Sequence, residues 1–460
     1  MSRYSITTMF ATLLQIVTFA LRGYAQEPLP PVAAPLDAGA ATSTVEFVYP
    51  PEPLPSDLST ASIAAQTNGP SDADSVGTTL DELVFLAQTH NPVLGEASAK
   101  VRVAQGNAIQ AGLPPNPSFV TSSPQLAGSE SQYNWLLGQD FITAGKLRLS
   151  QSVAFRDVEQ AQLDFTRTRY ELLTNVRRQF YVTAATQRRS EILRELAQVA
   201  ATSRDVGNKL KDAGETNTAD AMLLDIESDR AQLSYEASLA TLAASRKQLA
   251  AVVGLADMEI GDLRFDLSAQ LARYDLEAVR QGIVDSNALA AIAAVEIRKT
   301  QFQLRRAMAE PWPNFNLQAG YQYSVEGPRN DQGYGQFTMS LPLWNRNQGG
   351  IRAAQADTAR ATAGLARVEN ELSQQAAENL GQYMAAAERV AVYESRILPK
   401  AREVFRVNNR LFEQGQTDFL RLLQAQRTLI EADLGYIDAQ EVRWTSGATI
   451  AGLLQLEQFP

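Results

Sequence analysis

Two stretches of the chain alternate apolar and polar residues in the way that is typical of β-strands. From Asn314 to Tyr323 every second residue, beginning with Phe315, is aromatic or aliphatic, and the other residues are polar or glycine. The alternation resumes from Gln336 to Leu343. The intervening residues 324–335 are rich in Gly, Asn and Asp, so the pattern predicts a β-hairpin with one apolar face.

A second alternating pair lies earlier in the chain and predicts another hairpin. Its first strand is a short stretch from Phe119 to Pro124. Its second strand carries Tyr133, Trp135, Leu137 and Phe141 on one face.

Long helices are predicted around both hairpins. Thr79 and Glu82 form a capping-box pattern that opens a helix ending before Pro114, and a similar helix spans about 275–309. After each hairpin an apolar three- and four-residue periodicity runs over 147–211 and 351–413, and returning helices reach about Val253 and Leu454. About 60 helical residues extend about 90–100 Å, which exceeds an ordinary domain, and the alanine-rich periodicity favours coiled-coil packing.

The chain repeats itself. Pro115, Pro117 and Phe119 recur 196 residues later as Pro311, Pro313 and Phe315. Gly214, Thr216 and Tyr235 recur 201 residues later as Gly415, Thr417 and Tyr436. A period this long indicates duplication of a whole module rather than a solenoid. The predicted fold class is therefore mainly α with a small β part, built from two repeats over 79–265 and 275–458.

The residues before the first repeat differ in character. Residues 1–25 have a basic residue, an apolar run and a small-residue cleavage pattern, which predict a secretory signal peptide. Residues 26–78 are rich in Pro, Ala, Ser and Thr and predict a flexible arm, whose role the sequence leaves open between crossing the cell wall, wrapping the protein and simple disorder. No later stretch has the roughly 20 apolar residues of a transmembrane helix, so any membrane crossing falls to the strands.

Four strands with an apolar outer face are too few to close a membrane barrel, which needs about eight. Three copies give twelve strands and twelve helical segments, which indicates a homotrimer with a closed barrel. The strand residues predicted to face the membrane are Tyr133, Trp135, Leu137, Phe315, Leu317, Tyr321, Tyr323, Phe337, Met339 and Leu341. Tyr321, Tyr323 and Trp344 are either an interfacial aromatic belt or ordinary strand residues.

From Leu80 to about Leu454 the chain resembles the TolC-like outer-membrane efflux proteins. The run from Leu341 to Ile351, a proline-bearing strand end followed by a polar turn into a long helix, is similar to the branch that serves heavy-metal efflux pumps. The resemblance implies a trimer with a 12-stranded outer-membrane β-barrel and an α-helical barrel reaching into the periplasm. It also implies a periplasmic adaptor and an inner-membrane pump of the proton-driven resistance-nodulation-division type as partners.

The resemblance implies further that the turns at Gly214 and Gly415 are the periplasmic tips, where the adaptor docks and the pore narrows. The tip residues it indicates are Gly214, Thr216, Asp220, Gly415, Thr417, Asp418, Arg421 and Gln424. Arg421 and Gln424 stand where better-known members carry acidic pore residues, so an aspartate ring is not carried over. Asp418 and Arg421 either form a different charged constriction or are solvated charges at a helix start.

Composition argues against other classes of function. The chain has no cysteine and one histidine, His90, for which a structural or solvent role is expected, so it offers no catalytic triad and no cluster of metal ligands. No phosphate-binding or dinucleotide-binding glycine motif is present, and a net charge of −10 disfavours nucleic acid as a partner. We therefore expect neither an enzyme nor a bound cofactor or metal.

Two alternatives stay open at this point. An exported coiled-coil tether of the cell envelope would also use long helices and a Pro-rich arm, although it has no need for two hairpins and two matching tips. Within the channel interpretation, the cargo could be divalent metal cations, small toxic organic molecules or polypeptide, and the resting tip could be open or closed.

Overall fold

The computed structural model describes residues 77–125, 131–214, 217–269, 271, 276–325, 331–414, 416–417, 419–457 and 459. The predicted signal peptide and residues 26–76 of the predicted arm lie outside the described residues. Residues 77–78 do not behave as part of an arm, because Thr78 forms a parallel bridge with Leu263, and its N–H donates to the carbonyl of Asp262 at 3.0 Å.

The first repeat contains four helices and two strands. In chain order they are α1 (Leu80–His90), α2 (Pro92–Gly112), β1 (Ser118–Gln125), β2 (Gln132–Phe141), α3 (Lys146–Asp212) and α4 (Thr218–Val253). The capping box at Thr79 forms as predicted, with both reciprocal bonds to Glu82 present. At about 1.5 Å per residue, the 67 residues of α3 extend about 100 Å.

The second repeat follows the same order with one addition. It contains α5 (Leu276–Ser286), α6 (Ala288–Ala309), β3 (Phe315–Ser324), β4 (Asp331–Met339), α7 (Gln348–Val392), a π-helical turn (Tyr393–Ile397), α8 (Leu398–Glu413) and α9 (Phe419–Leu453). The predicted long helical stretch over 351–413 is present, and the π-helical turn is an irregularity within it that was not predicted. Pro399 has no N–H to donate to the carbonyl of residue 395 and its ring needs room there, which explains a widened turn just before it.

The four strands form one antiparallel sheet in the order β1-β2-β3-β4. The central pair joins the two repeats, with Gln132 opposite Ser324 and Phe141 opposite Phe315. β4 begins five residues before the predicted start, because its pairing with β3 continues as far as Asp331 opposite Tyr323. It ends at Met339, short of the predicted Leu343, and Pro342 beyond that end could not donate to a neighbouring strand.

Two large apolar clusters hold the helices together; the first combines residues of both repeats, and the second consists of residues of the second repeat. Leu83 and Leu249 belong to the first cluster, and their repeat counterparts Val279 and Ile450 belong to the second. Trp444 of α9 completes the first cluster, where its indole N–H donates to the carbonyl of Leu267 at 2.9 Å. These contacts confirm the predicted fold class, mainly α with a small sheet and an internal duplication.

Candidate functional site

The apolar strand face is the first candidate site, and we use this name for Tyr133, Trp135, Leu137, Phe315, Leu317, Tyr321, Tyr323, Phe337 and Met339. The register places Trp135 opposite Tyr321 and Leu317 opposite Phe337, so nine of the ten predicted residues share one face of the sheet. The tenth, Leu341, lies beyond the end of β4 and is exposed. Most of the face is open to the surroundings; Trp135, Leu137 and Phe337 are among its exposed members.

Aromatic rings gather at two levels of this face. At one level Trp135 lies between Tyr133 and Tyr321, with ring centroids 6.4 and 6.0 Å away. At the other level Phe315 lies between Phe141 and Phe337, at 4.9 and 5.6 Å. Trp135 and Phe141 are six residues apart on one strand, so the two levels are separated by about 20 Å before any strand tilt.

The opposite face of the sheet is polar. Asn134 donates to Ser122 at 3.2 Å, Gln322 to Gln132 at 3.1 Å and Asn316 to Asp140 at 2.8 Å. Leu136, Val120 and Tyr334 are the exceptions; Leu136 is buried opposite Gly320, and the register places Val120 and Tyr334 on the same face. A sheet with an aromatic-flanked apolar face and a polar face has the residue pattern of a strand wall between lipid and water.

The helical tips are the second candidate site. Gly214 ends α3 in the left-handed region at φ +72°, a conformation that favours glycine. The next helix is capped by Asn217, whose side chain accepts from the N–H of Asp220 at 3.1 Å. Sequence analysis placed this tip at the Gly214 turn and included Thr216 in it, but did not single out Asn217. Thr216, Gly415 and Asp418 lie outside the described residues.

Of the remaining predicted tip residues, Thr417 is half-buried, and Arg421 and Gln424 are exposed on the first turns of α9. The structure adds a contact that sequence analysis missed: Arg427 of α9 donates to Glu227 of α4 at 2.6 Å. This bond raises the pKa of the Arg427 guanidinium and links the returning helices of the two repeats near their tips. Glu227 and Arg427 are separated along the chain by nearly the repeat spacing. This separation was the feature of the sequence that could have indicated the contact.

Two buried asparagines fix the opposite ends of the returning helices. The amide of Asn91 donates to the carbonyls of Val252 and Val253, and its oxygen caps α2 by accepting from Val93. The amide of Asn287 donates to Leu453, and its oxygen caps α6. Both asparagines were visible in the sequence as repeat identities, but their hydrogen bonds were not predicted.

The described residues contain no group of three or more His, Cys, Asp or Glu side chains that could hold a metal ion. Among those residues, no helix is both long enough and apolar enough to span a membrane. His90 is exposed at the end of α1, where its ring nitrogen lies 2.7 Å from the hydroxyl of Thr89.

Residues 267–454 match the family model described as outer membrane efflux protein. The chain carries an outer membrane efflux protein domain and has the TolC-like fold. The cobalt-zinc-cadmium resistance protein CzcC of Cupriavidus metallidurans is 25% identical over 378 residues, which cover 82% of this chain and 90% of that protein.

Solved structures share the fold of this chain. The outer membrane protein VceC of Vibrio cholerae has a TM-score of 0.69 at 19% identity, with 82% of this chain and 96% of that one covered. CusC, a protein solved in a study of transmembrane channel formation, has a TM-score of 0.70 at 15% identity, with 82% and 92% covered. At these identities the structural likeness concerns the fold alone.

Proposed function

We propose that this efflux protein is the outer-membrane channel of a tripartite efflux system. The observation that carries the proposal is the combination, in one chain, of an aromatic-flanked apolar strand face with helices about 100 Å long. The strands lie in the outer membrane in contact with its lipid, and the helices extend into the periplasm.

The working unit is a homotrimer. In the described sheet β1 and β4 each pair with one neighbour, so each leaves one edge of backbone N–H and C=O groups unpaired. Such edges are costly in a membrane, because lipid offers no hydrogen-bond partners. Pairing β4 of one copy with β1 of the next satisfies both edges, and three copies close a barrel of 12 strands around the polar face.

The tips receive the partners. A periplasmic adaptor docks at the turns around Gly214 and Gly415, and an inner-membrane pump of the proton-driven resistance-nodulation-division type supplies the energy. The predicted tip residues, among them Thr216, Asp220, Thr417, Asp418, Arg421 and Gln424, line this end, where the pore is narrowest. The channel itself is a passive duct and performs no catalysis.

Divalent metal cations are the proposed cargo. Support comes from the sequence likeness to CzcC, whose name assigns it to cobalt, zinc and cadmium resistance. The metal passes through the duct and is not held by it. Small organic toxicants are the second candidate for this cargo.

Single-channel recording in a planar lipid bilayer tests the duct, together with the mass of the purified protein in detergent. We expect a trimeric mass and discrete conductance steps. A monomer that neither inserts nor conducts contradicts the proposal and favours an envelope tether. For the cargo, deletion of the gene should raise sensitivity to cobalt, zinc or cadmium more than sensitivity to organic toxicants.

A further inference from the structure

An open cavity of about 610 Å³ lies where the helices of both repeats meet the sheet. It is lined by the end of α2, the start of α3 and the end of α6, and its polar lining includes Gln110, Lys146, Ser150, Arg306, Glu310 and Asn314. A cavity of this size is in the range of small-molecule sites.

The unusual member of the lining is Lys146, which is only 5% exposed. Its ammonium donates to the carbonyl of Trp312 at 2.6 Å and to the side-chain oxygen of Asn314 at 3.0 Å. Among the described residues no carboxylate forms an ion pair with it. A buried cation held by neutral acceptors alone keeps a large desolvation cost, which a nearby anion would offset.

The charges around the cavity also favour an anion. Its lining holds two cations, Lys146 and Arg306, and one carboxylate, Glu310. The Arg306 guanidinium donates to the hydroxyl of Ser150 at 2.8 Å, and its distance of 3.6 Å to Glu310 is long for a close ion pair. Arg306 therefore keeps donor capacity for a ligand.

We propose that this cavity binds a phosphate group, with the Lys146 ammonium and the Arg306 guanidinium as its cationic partners. A phosphate has several acceptor oxygens and can accept from both cations at once. The group comes either from free phosphate or from the headgroup of a phospholipid. The lipid source rests on the proposed membrane position of the strands, whereas the site itself does not.

Two binding measurements on the full-length protein separate the sources. Isothermal titration with inorganic phosphate, in detergent and with chloride as the comparison anion, tests the free ion. Native mass spectrometry of protein from nanodiscs of phosphatidylglycerol or of a phosphate-free glycolipid tests the lipid headgroup. Phosphate binding without lipid preference assigns the free ion, and retention of phosphatidylglycerol alone assigns the headgroup.

Substitutions of the lining residues test whether the measured binding occurs in this cavity. Arg306→Gln and Lys146→Gln should each weaken binding about tenfold, since each removes a charge-assisted hydrogen bond to the phosphate. Arg305→Gln is the matched control, because this neighbouring arginine lies over the ring of Phe302 and does not line the cavity. If Lys146→Gln fails to fold, Arg306→Gln carries the test.

Two outcomes overturn the proposal. In the first, the Arg306 and Arg305 variants bind phosphate or phosphatidylglycerol equally well. In the second, the protein prefers neither phosphate over chloride nor phosphatidylglycerol over the comparison lipid. Conductance of the same samples keeps this failure separate from failure of the channel. If the protein conducts ions but does not bind phosphate, the proposed phosphate site is wrong and the proposed channel function stands.

Discussion

In the first repeat Tyr235 packs against Ala197, Ala200 and Ala231, whereas in the second Tyr436 packs against Leu398, Ala401 and Ala432. Each member of the second cluster is the repeat counterpart of a member of the first. The first cluster joins α4 to the uninterrupted helix α3, whereas the second joins α9 to the start of α8, directly after the π-helical turn. The duplication has thus preserved the packing positions while the backbone that presents them has diverged.

The region around the π-helical turn of the second repeat has polar contacts of its own. Tyr436 donates its hydroxyl to Glu394 of the π-turn at 2.5 Å, and Arg402 lies 3.5 Å from Asp433. Burial and the Glu394 carboxylate together raise the pKa of Tyr436, and burial raises the pKa of Asp433 in spite of Arg402. The second repeat therefore has polar contacts around its π-turn where the first cluster packs mainly through alanines.

The largest expected effect concerns the strands that join the repeats. A Cβ added to Gly320 would overlap the carbonyl oxygen of Trp135, a backbone atom that cannot move alone. Gly320→Val should therefore separate β2 from β3 and abolish the folded, assembled protein. Gly335→Val is the control, because nothing lies within 4 Å of its added Cβ. Heat-resistant assembly on a native gel distinguishes them, and equal assembly of the two variants contradicts the prediction.

The second effect tests the matched asparagines. Asn91→Ala removes an amide that is 7% exposed and makes three hydrogen bonds, and it should cost about 3 kcal/mol because buried carbonyls lose their donor. Asn287→Ala removes one carbonyl contact and one cap and should cost less. Chemical denaturation followed by tryptophan fluorescence gives both values. Equal costs would show that the repeats use this contact alike.

The third effect isolates the polar contact of the second repeat. Tyr436→Phe removes the bond to Glu394 and should destabilise the protein by about 1 kcal/mol. Tyr235→Phe, at the matched position, should change stability by less. The pKa of Tyr436 is raised in the folded state, so its contribution should hold below about pH 10, the ordinary tyrosine value, and decline above it. Thermal unfolding across this pH range is the measurement.

The smallest effect comes from importing a first-repeat residue into the second. Gln232 is the first-repeat counterpart of Asp433, whose burial raises its pKa. Asp433→Gln should raise the melting temperature by about 1–2 °C at pH 7. The gain should vanish below about pH 4, where the carboxyl is protonated in both folded and unfolded chains. A gain that persists at low pH would exclude the buried charge as its cause.

Much of the fold could be predicted from the sequence because it depends on local patterns. The capping box at Thr79, the alternation along β3 and the glycine at position 214 each determine nearby structure. The π-turn could not be predicted, because Pro399 indicates that the helix is irregular there but not whether it kinks, ends or widens into a π-helical turn. The end of β4 was placed too late, since apolar alternation continues through Leu341 and Leu343 after the pairing has stopped.

The contacts between distant segments were harder to predict. The buried Lys146 resembled any basic residue at a helix start, and only the fold brings the carbonyl of Trp312 to it. The bond between Glu227 and Arg427 likewise depends on how two helices lie side by side. Asn91 and Asn287 are identical residues at the repeat spacing of 196, but which carbonyls they bind follows from tertiary structure.

The pairing of β2 with β3 also has a consequence for the order of folding. Phe141 must find Phe315 with the long helices of the first repeat lying between them in the chain, whereas each hairpin closes over a short loop. Contacts between distant residues form slowly, because a long loop must close before they contribute. The first hairpin can therefore form early, while the strand junction waits until the second repeat has been synthesised. Until then the inner edge of β2 is available for mispairing and aggregation.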